Sequence, residues 1–459
     1  LTEGSIPRGL LLFSLPILFG NVLQSLNGSV NAVWVGRYLG ESAFAAAGNS
    51  NVIMFMLFGA IFGFSMATTV MIAQCVGAKN WPEAKRVVGT SATFFVGLSL
   101  LLAGLGLGMT PRLLAWLHTP ADALAPARAY MRVIFLALPF TSGFYFVMAA
   151  LRGAGDSKTP FVFLALSVAL DIALNPLLIF GWGPVPRMGI AGSATATLIA
   201  QAASLAALVV YLYRTDNALR IGRRDWRLFL PDRSIVRLLV TKGVPMGLQI
   251  FVVSSSMLGL TALVNRFGSQ ETAAFSAAMQ LWNYVQMPAM AIAASASSMA
   301  GQNIGAGRWD RVDRVAVTGV VFNFLLGGAL IGLIYALNRR ALALFLPADG
   351  AALAIAVHLN VLIVWSFALF GVSIVLFGVV RASGAVIAPL VMLIVSLWFV
   401  RLPFAYWLVD RWQADAIWWS FPAASTASMV MAIGYFRFGS WRGRRLSIVA
   451  AGVAAPTSA

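Results

Sequence analysis

The sequence predicts an all-α polytopic membrane protein. Its twelve transmembrane helices form two six-helix lobes related by a parallel repeat, a two-fold along the membrane normal. Three observations predict this: the composition, the count of apolar stretches and a near-constant internal offset. Of 459 residues, 60% are hydrophobic and 10% charged, whereas an ordinary soluble domain is about 25% charged. With a mean hydropathy of +0.86, a water-soluble globule could not hide the apolar surface. That excludes a cytosolic enzyme, a secreted protein and a disordered tail.

About 20 apolar residues cross a bilayer as a helix. Cutting at charges and Gly/Pro clusters gives spans at 10–36, 48–76, 88–110, 127–151, 160–181, 189–213, 242–265, 273–305, 313–337, 352–380, 387–409 and 416–438. They lack the ten-residue alternation of barrel strands. With the N-terminus in the cytoplasm, 22 of the 32 Lys and Arg residues fall in cytoplasmic segments. Basic residues collect on that side, so both termini are expected inside a bacterial-type inner membrane. The same bias explains the net charge of +17 without a nucleic-acid partner. No cleavable signal is expected ahead of the first span. One cysteine, Cys75, and two distant histidines, His118 and His358, leave no disulfide framework and no metal centre.

The longest polar interruption divides the chain nearly in half. The expected organisation is an N-lobe at 1–213, a basic linker at 214–241, a C-lobe at 242–438 and a tail at 439–459. In the linker, Trp226 to Leu230 and Arg237 to Leu239 mix basic and apolar residues, as in a helix lying along the inner membrane face.

The halves repeat. Gln74-Cys75-Val76-Gly77-Ala78-Lys79-Asn80-Trp81 matches Gln302-Asn303-Ile304-Gly305-Ala306-Gly307-Arg308-Trp309 at an offset of 228. Arg152-Gly153-Ala154-Gly155 matches Arg381-Ala382-Ser383-Gly384 at 229, as do Pro160 with Pro389 and Pro16 with Pro245. A repeat of six spans makes both copies enter the membrane in the same direction, an architecture suited to alternating access.

Four stretches carry a family resemblance: Leu151 to Pro160; Val76 to Trp81 with Ala84-Lys85-Arg86; Asn175 to Gly181 with Gly189 to Ala194; and Arg401 to Tyr406. In order along the whole chain, they resemble the multidrug and toxic compound extrusion (MATE) transporters, nearest the DNA-damage-inducible-F-like branch. The resemblance implies a monomeric secondary antiporter, without a cofactor. It would export amphipathic, often cationic compounds across the bilayer in exchange for H⁺ or Na⁺. The alternative is a related flippase for lipid-linked headgroups, which calls for a more basic cavity than this one.

Of the fifteen acids, only Asp171 lies deep within a span. A charge there costs about 2.5–3.5 kcal/mol on insertion scales and needs a partner or a wet cavity. Asn21, Gln24, Asn27 and Asn31, at spacings of 3, 3 and 4, share one face of the first span. Asn175 lies one turn beyond Asp171, and Pro176 after it would kink the fifth span and free a carbonyl. Asp171, Asn175, Asn31 and Asn27 are therefore the expected ion-coupling residues, with Pro176 as hinge. H⁺ is favoured; a Na⁺ at Asp171, Asn175 and Asn31 is the other option. The expected substrate contacts are Gln24, Asn21, Gln249, Gln280, Trp282, Asn283, Gln286 and Met287, since aromatic and thioether surfaces hold flat cations. The resembling branch often carries an aspartate where Asn31 stands, and the reverse order of Asn and Asp in span five. The acid here is thus shifted by one turn, about 5.4 Å. Arg401 is expected to pair with carbonyls freed by Pro403 or to snorkel, and His358 to be a hydrogen-bonded packing residue.

Overall fold

The computed structural model describes residues 1–39, 41–116, 119, 121–181, 186–347 and 350–448. These form twelve helical runs. α1 is Ile6–Leu39, α2 Glu41–Gly77, α3 Trp81–Trp116, α4 Ala121–Ala154, α5 Lys158–Phe180 and α6 Ile190–Arg214. α7 is Arg233–Val264 and α8 Ser269–Gly305. α9 is Trp309–Leu342, α10 the pair Ala351–Ile363 and Ser366–Ala382, α11 Ile387–Trp412 and α12 Ala414–Phe438.

Ten of these runs are long and apolar enough to cross a membrane, and α10 makes an eleventh, bent by 48°. The twelfth, α8, has the length at 37 residues, but Gln280, Asn283, Gln286, Gln302 and Asn303 dilute its hydropathy. Two π-helical turns, Asn323–Gly327 in α9 and Val395–Arg401 in α11, widen those helices locally.

The repeat is visible in how helices end. α2 and α8 both stop on a residue in the left-handed region, Lys79 at φ 57° and Gly307 at φ 76°. Past it, Asn80 N donates to Cys75 O at 2.9 Å and Arg308 N to Asn303 O at 2.8 Å, closing the last turn as a Schellman cap. α4 and α10 end likewise at Gly155, φ 97°, and Gly384, φ 86°. Asp156 then starts α5, its carboxylate accepting the Lys158 and Thr159 N–H groups at 3.0 Å.

The described residues pack as two compact units, Phe19–Val244, and Leu1–Leu18 with residues 245–448. These boundaries differ from the sequence boundaries at the starts of α1 and α7. The first turns of α1 belong with the second half. There Leu10 shares a core with Met299, and Phe13 and Ile17 with Ala291; Arg308 and Arg311 hold the Thr2 and Gly4 carbonyls. The first turns of α7 belong with the first half, where Gly243 lies against Phe64. The exchange falls beside Pro16 and Pro245, the repeat-related prolines inside these two helices.

The linker is a short 3-10 helix, Arg223–Phe229, seated on α3. A Cβ at Gly89 would stand 2.2 Å from Leu228 O, so only glycine admits this approach. Thr93 donates to Phe229 O at 2.6 Å, and Arg86 pairs with Asp232.

Candidate functional site

Asp171 sits midway along α5 and is 2% exposed. Its Oδ2 accepts from Asn27 Nδ2 at 2.7 Å and Asn31 Nδ2 at 3.0 Å, both on α1. Its Oδ1 accepts from the Thr197 hydroxyl on α6 at 3.0 Å and from Asn175 Nδ2 at 3.3 Å. Asn175 Nδ2 also reaches Asn31 Oδ1 at 3.0 Å and the Asp171 carbonyl at 2.9 Å. The sequence brings these helices together. Asn27 and Asn31 are one turn apart on the inner stripe of α1. Gly192 lets α6 approach α5 closely, since a Cβ there would lie 2.4 Å from Leu178 O.

An ionised carboxylate offers about four acceptor sites, and Asp171 uses four. Hydrogen bonds to a charged group contribute about 1.5–3 kcal/mol each, while burying an ion costs several kcal/mol. The four donors together are therefore of the size of the penalty, and no cation is required beside the acid. The amide oxygens Asn27 Oδ1 and Asn175 Oδ1 are buried and accept no hydrogen bond in the described structure. Such orphans are uncommon, and two of them flank one carboxylate.

The structure thus gathers all four expected coupling residues and adds Thr197. Nothing in the spacing of span six singles Thr197 out; a hydroxyl inside an apolar run was the only available sign. Gln24 donates to the Tyr145 hydroxyl on α4, and Asn21 is half-buried further down the stripe. Pro176 lies within a helix that continues to Phe180. Beyond Asn31, a cavity of about 330 Å³ is lined by Ser29, Val30, Val33, Trp34 and Tyr38. The rings of Trp34, Tyr38 and Phe180 meet there, with centroids 5.2–6.0 Å apart.

The expected substrate residues of the second half do not converge in this way. Gln249 is buried and accepts from Arg381 Nη1 at 2.9 Å. Gln280 and Asn283 are exposed, Gln286 is half-buried and Met287 buried. Trp282, 1% exposed, packs among Phe275, Phe367 and Phe421. Its indole N–H donates to Asn360 Oδ1 at 2.8 Å, and Asn360 donates to Asn338 at 2.8 Å.

Two expectations are corrected. Among the described residues Arg401 pairs with no carbonyl, and it does not snorkel: it is buried on the π-helical turn, its guanidinium 3.6 Å above the Phe421 ring and Nη2 3.8 Å from Met257 Sδ. The wider π-turn carries the side chain to the aromatic cluster instead of toward an interface. His358 is an exposed residue, not a packing one, and its Nε2 lies 2.9 Å from Asp415 Oδ1.

A family model described as MatE matches residues 16–177 and 245–407, two stretches whose starts reproduce the offset between Pro16 and Pro245. The chain is 36% identical to the probable multidrug resistance protein YoeA of Bacillus subtilis, over 97% of this chain and 96% of that one. It is 25% identical to the probable multidrug resistance protein NorM of Thermotoga maritima, over 96% and 94%. Among solved structures, a mutant of the Vibrio cholerae MATE transporter VcmN superposes with a TM-score of 0.87 at 20% identity, covering 94% of this chain and 96% of that one. An outward-facing multidrug resistance MATE family transporter gives 0.86 at 20% identity, over 95% and 96%. At such identities the structural likeness speaks for the fold, and the sequence matches speak for descent. With both halves matched, this chain belongs to the MATE family of membrane transporters and is a carrier, not an enzyme.

Proposed function

We propose that the chain is a secondary antiporter that exports amphipathic organic cations in exchange for H⁺ by alternating access of its two lobes. It would act as a monomer in a bacterial inner membrane with both termini in the cytoplasm. The observation that carries this is the Asp171 cluster: one intramembrane acid, four donors and two orphaned amide oxygens. The names of the relatives, multidrug resistance proteins, support a drug-like cargo, and the Lys/Arg distribution supports the orientation.

A proton must arrive where a donor can become an acceptor. Thr197 can do this. Its hydroxyl also lies 3.4 Å from Ser193 O, so rotating the O–H to that carbonyl leaves the Thr197 oxygen free to accept from protonated Asp171 Oδ1. On the other side, an amide flip at Asn27 would present its orphaned Oδ1 to a proton on Oδ2. The first change rewires the contact between α5 and α6, and the second rewires the bridge that ties α1 to α5. Protonation on the Asn27 side thereby alters the hold on α1, and the adjoining cavity of Trp34 and Tyr38 is where a flat cation would feel it. Gln24 and Asn21 extend the same stripe.

A second reading rests on the same orphans. Asn27 Oδ1, Asn175 Oδ1, the Thr197 hydroxyl and the Asp171 carboxylate supply enough oxygen for a Na⁺ as the exchanged ion. The experiment is an efflux assay in everted vesicles with the pH and Na⁺ gradients imposed separately. Asp171→Asn is expected to abolish substrate-evoked collapse of the gradient at normal expression. Full exchange in that variant would sink the coupling role, and drive by Na⁺ alone would select the second reading.

A further inference from the structure

A cavity of about 570 Å³ is lined by Phe404, Trp412, Asp415 and Trp419, at the hairpin that joins α11 to α12. It lies wholly within the unit of residues 1–18 and 245–448, whereas Asp171 belongs to the other unit. The hairpin turn joins the last two spans, so the cavity lies toward the end of these helices opposite the one reached by the end of α12.

The lining has a definite chemistry. Phe404 and Trp412 meet edge to face, with centroids 5.9 Å apart. Trp412 and Trp419 are 48% and 40% exposed, and their indoles border the open volume. Asp415 supplies the anionic edge. One of its oxygens is engaged by His358 Nε2 at 2.9 Å, and its side chain remains 46% exposed. Aromatic residues at a membrane boundary are common as headgroup-level anchors. That role accounts for the tryptophans, but not for a carboxylate facing the same ligand-sized hollow.

We propose that this cavity is a second binding site, taking a free amphipathic organic cation from the side opposite the termini. The rings cover its apolar body through cation–π contact, and Asp415 compensates its charge. An anion of the same shape is repelled by Asp415, and a neutral one gains nothing from it. The site is separate from the coupling cluster and stands whether or not Asp171 couples to an ion.

The test is equilibrium dialysis of radiolabelled tetraphenylphosphonium against the purified full-length protein in detergent. Tetraphenylborate serves as the isosteric anion. The wild type is expected to bind more than one equivalent of the cation. Asp415→Asn and Trp419→Ala should each weaken one equivalent by roughly tenfold, while Asp171→Asn leaves that equivalent in place. Tetraphenylborate should not compete for it. Unchanged isotherms in both cavity variants would overturn the proposal; if Asp415→Asn fails to fold, Trp419→Ala decides. Equal competition by tetraphenylborate would overturn it too. So would displacement of this equivalent by phosphatidylethanolamine but not phosphatidylglycerol, which would assign the cavity to a lipid headgroup.

Discussion

Lys79 and Gly307 occupy the same left-handed backbone position in the two copies of the repeat, at φ 57° and 76°. For a side chain with a Cβ, that conformation costs about 1–2 kcal/mol. Gly307→Ala is therefore expected to destabilise the protein by about 1 kcal/mol. The added Cβ would also meet Arg445 Nη2 at 2.8 Å, but that is the end of a flexible chain and can step aside. Lys79→Gly should shift stability the other way by only a few tenths, because glycine loses more entropy on folding. Apparent unfolding temperatures in detergent check both signs; a gain in Gly307→Ala would contradict the cap.

Asp232 caps α7 and ties the linker to α3. Its Oδ1 accepts from the Ser234 hydroxyl and from the Ser234 and Ile235 N–H groups at 2.8 and 3.2 Å, and Arg86 pairs with Oδ2. Its carboxyl is held below the ordinary 3.8 by the Ser234 hydroxyl first, against burial, and then by the two backbone N–H groups and Arg86. A depressed folded value means stability that is complete above the unfolded value and lost as pH falls through the folded one. Asn caps nearly as well as Asp, while Ala costs about 1 kcal/mol. Asp232→Ala should thus unfold earlier than Asp232→Asn at neutral pH. The gap between wild type and Asp232→Asn should hold at neutral pH and close below 3.8. An unfolding series across pH measures it, and a gap that widens in acid would refute the assignment.

Trp282 and Asn360 form a buried pair, and the pair predicts that Trp282 acts on stability. Asn360→Leu strands the indole N–H and the Asn338 amide oxygen, each at a cost of about 1–3 kcal/mol. Trp282→Phe removes the donor but leaves only Asn360 Oδ1 unpaired, at a smaller loss. Both variants should lower the apparent unfolding temperature and leave substrate affinity within about twofold. A selective loss of affinity in Trp282→Phe, at unchanged stability, would return Trp282 to the substrate contacts.

The contrast between Asp171 and Trp282 shows what the sequence could carry. Asp171 was legible because insertion cost forces an explanation for a lone intramembrane acid. Asn27 and Asn31 were legible because a period of 3.6 places them on one face. Eleven of the twelve helical runs followed from apolar length, α8 being diluted by its amides, and the caps at Lys79 and Gly307 sit inside the repeated motif itself. Trp282 was not legible, since an indole in a span reads the same whether it faces a ligand or a cluster of phenylalanines. Arg401 depended on a π-helical turn that leaves no compositional trace. The exchange of helix starts at Pro16 and Pro245 is a matter of long-range packing, which no local pattern encodes.

Thr197 separates the H⁺ mechanism from a static hydrogen-bond bridge. In the proposed cycle its hydroxyl donates to Asp171 Oδ1 when the acid is ionised and turns to Ser193 O when the acid is protonated. Thr197→Ser keeps that rotor, whereas Thr197→Val keeps the shape and removes it. If the rotor matters, Thr197→Ser should retain exchange, and Thr197→Val should slow proton-driven efflux by roughly tenfold or more, the size of one lost hydrogen bond to a charge. Binding of the cation at the aromatic cavity of Trp34 and Tyr38 should change little, because Thr197 lines no part of it. Under the Na⁺ reading the same variant loses an oxygen ligand, so the apparent Na⁺ affinity falls instead. Efflux rates under separate gradients, with the Na⁺ concentration varied, distinguish the two. Equal rates in Thr197→Val and wild type under both gradients would remove Thr197 from the cycle and leave it as a packing contact between α5 and α6.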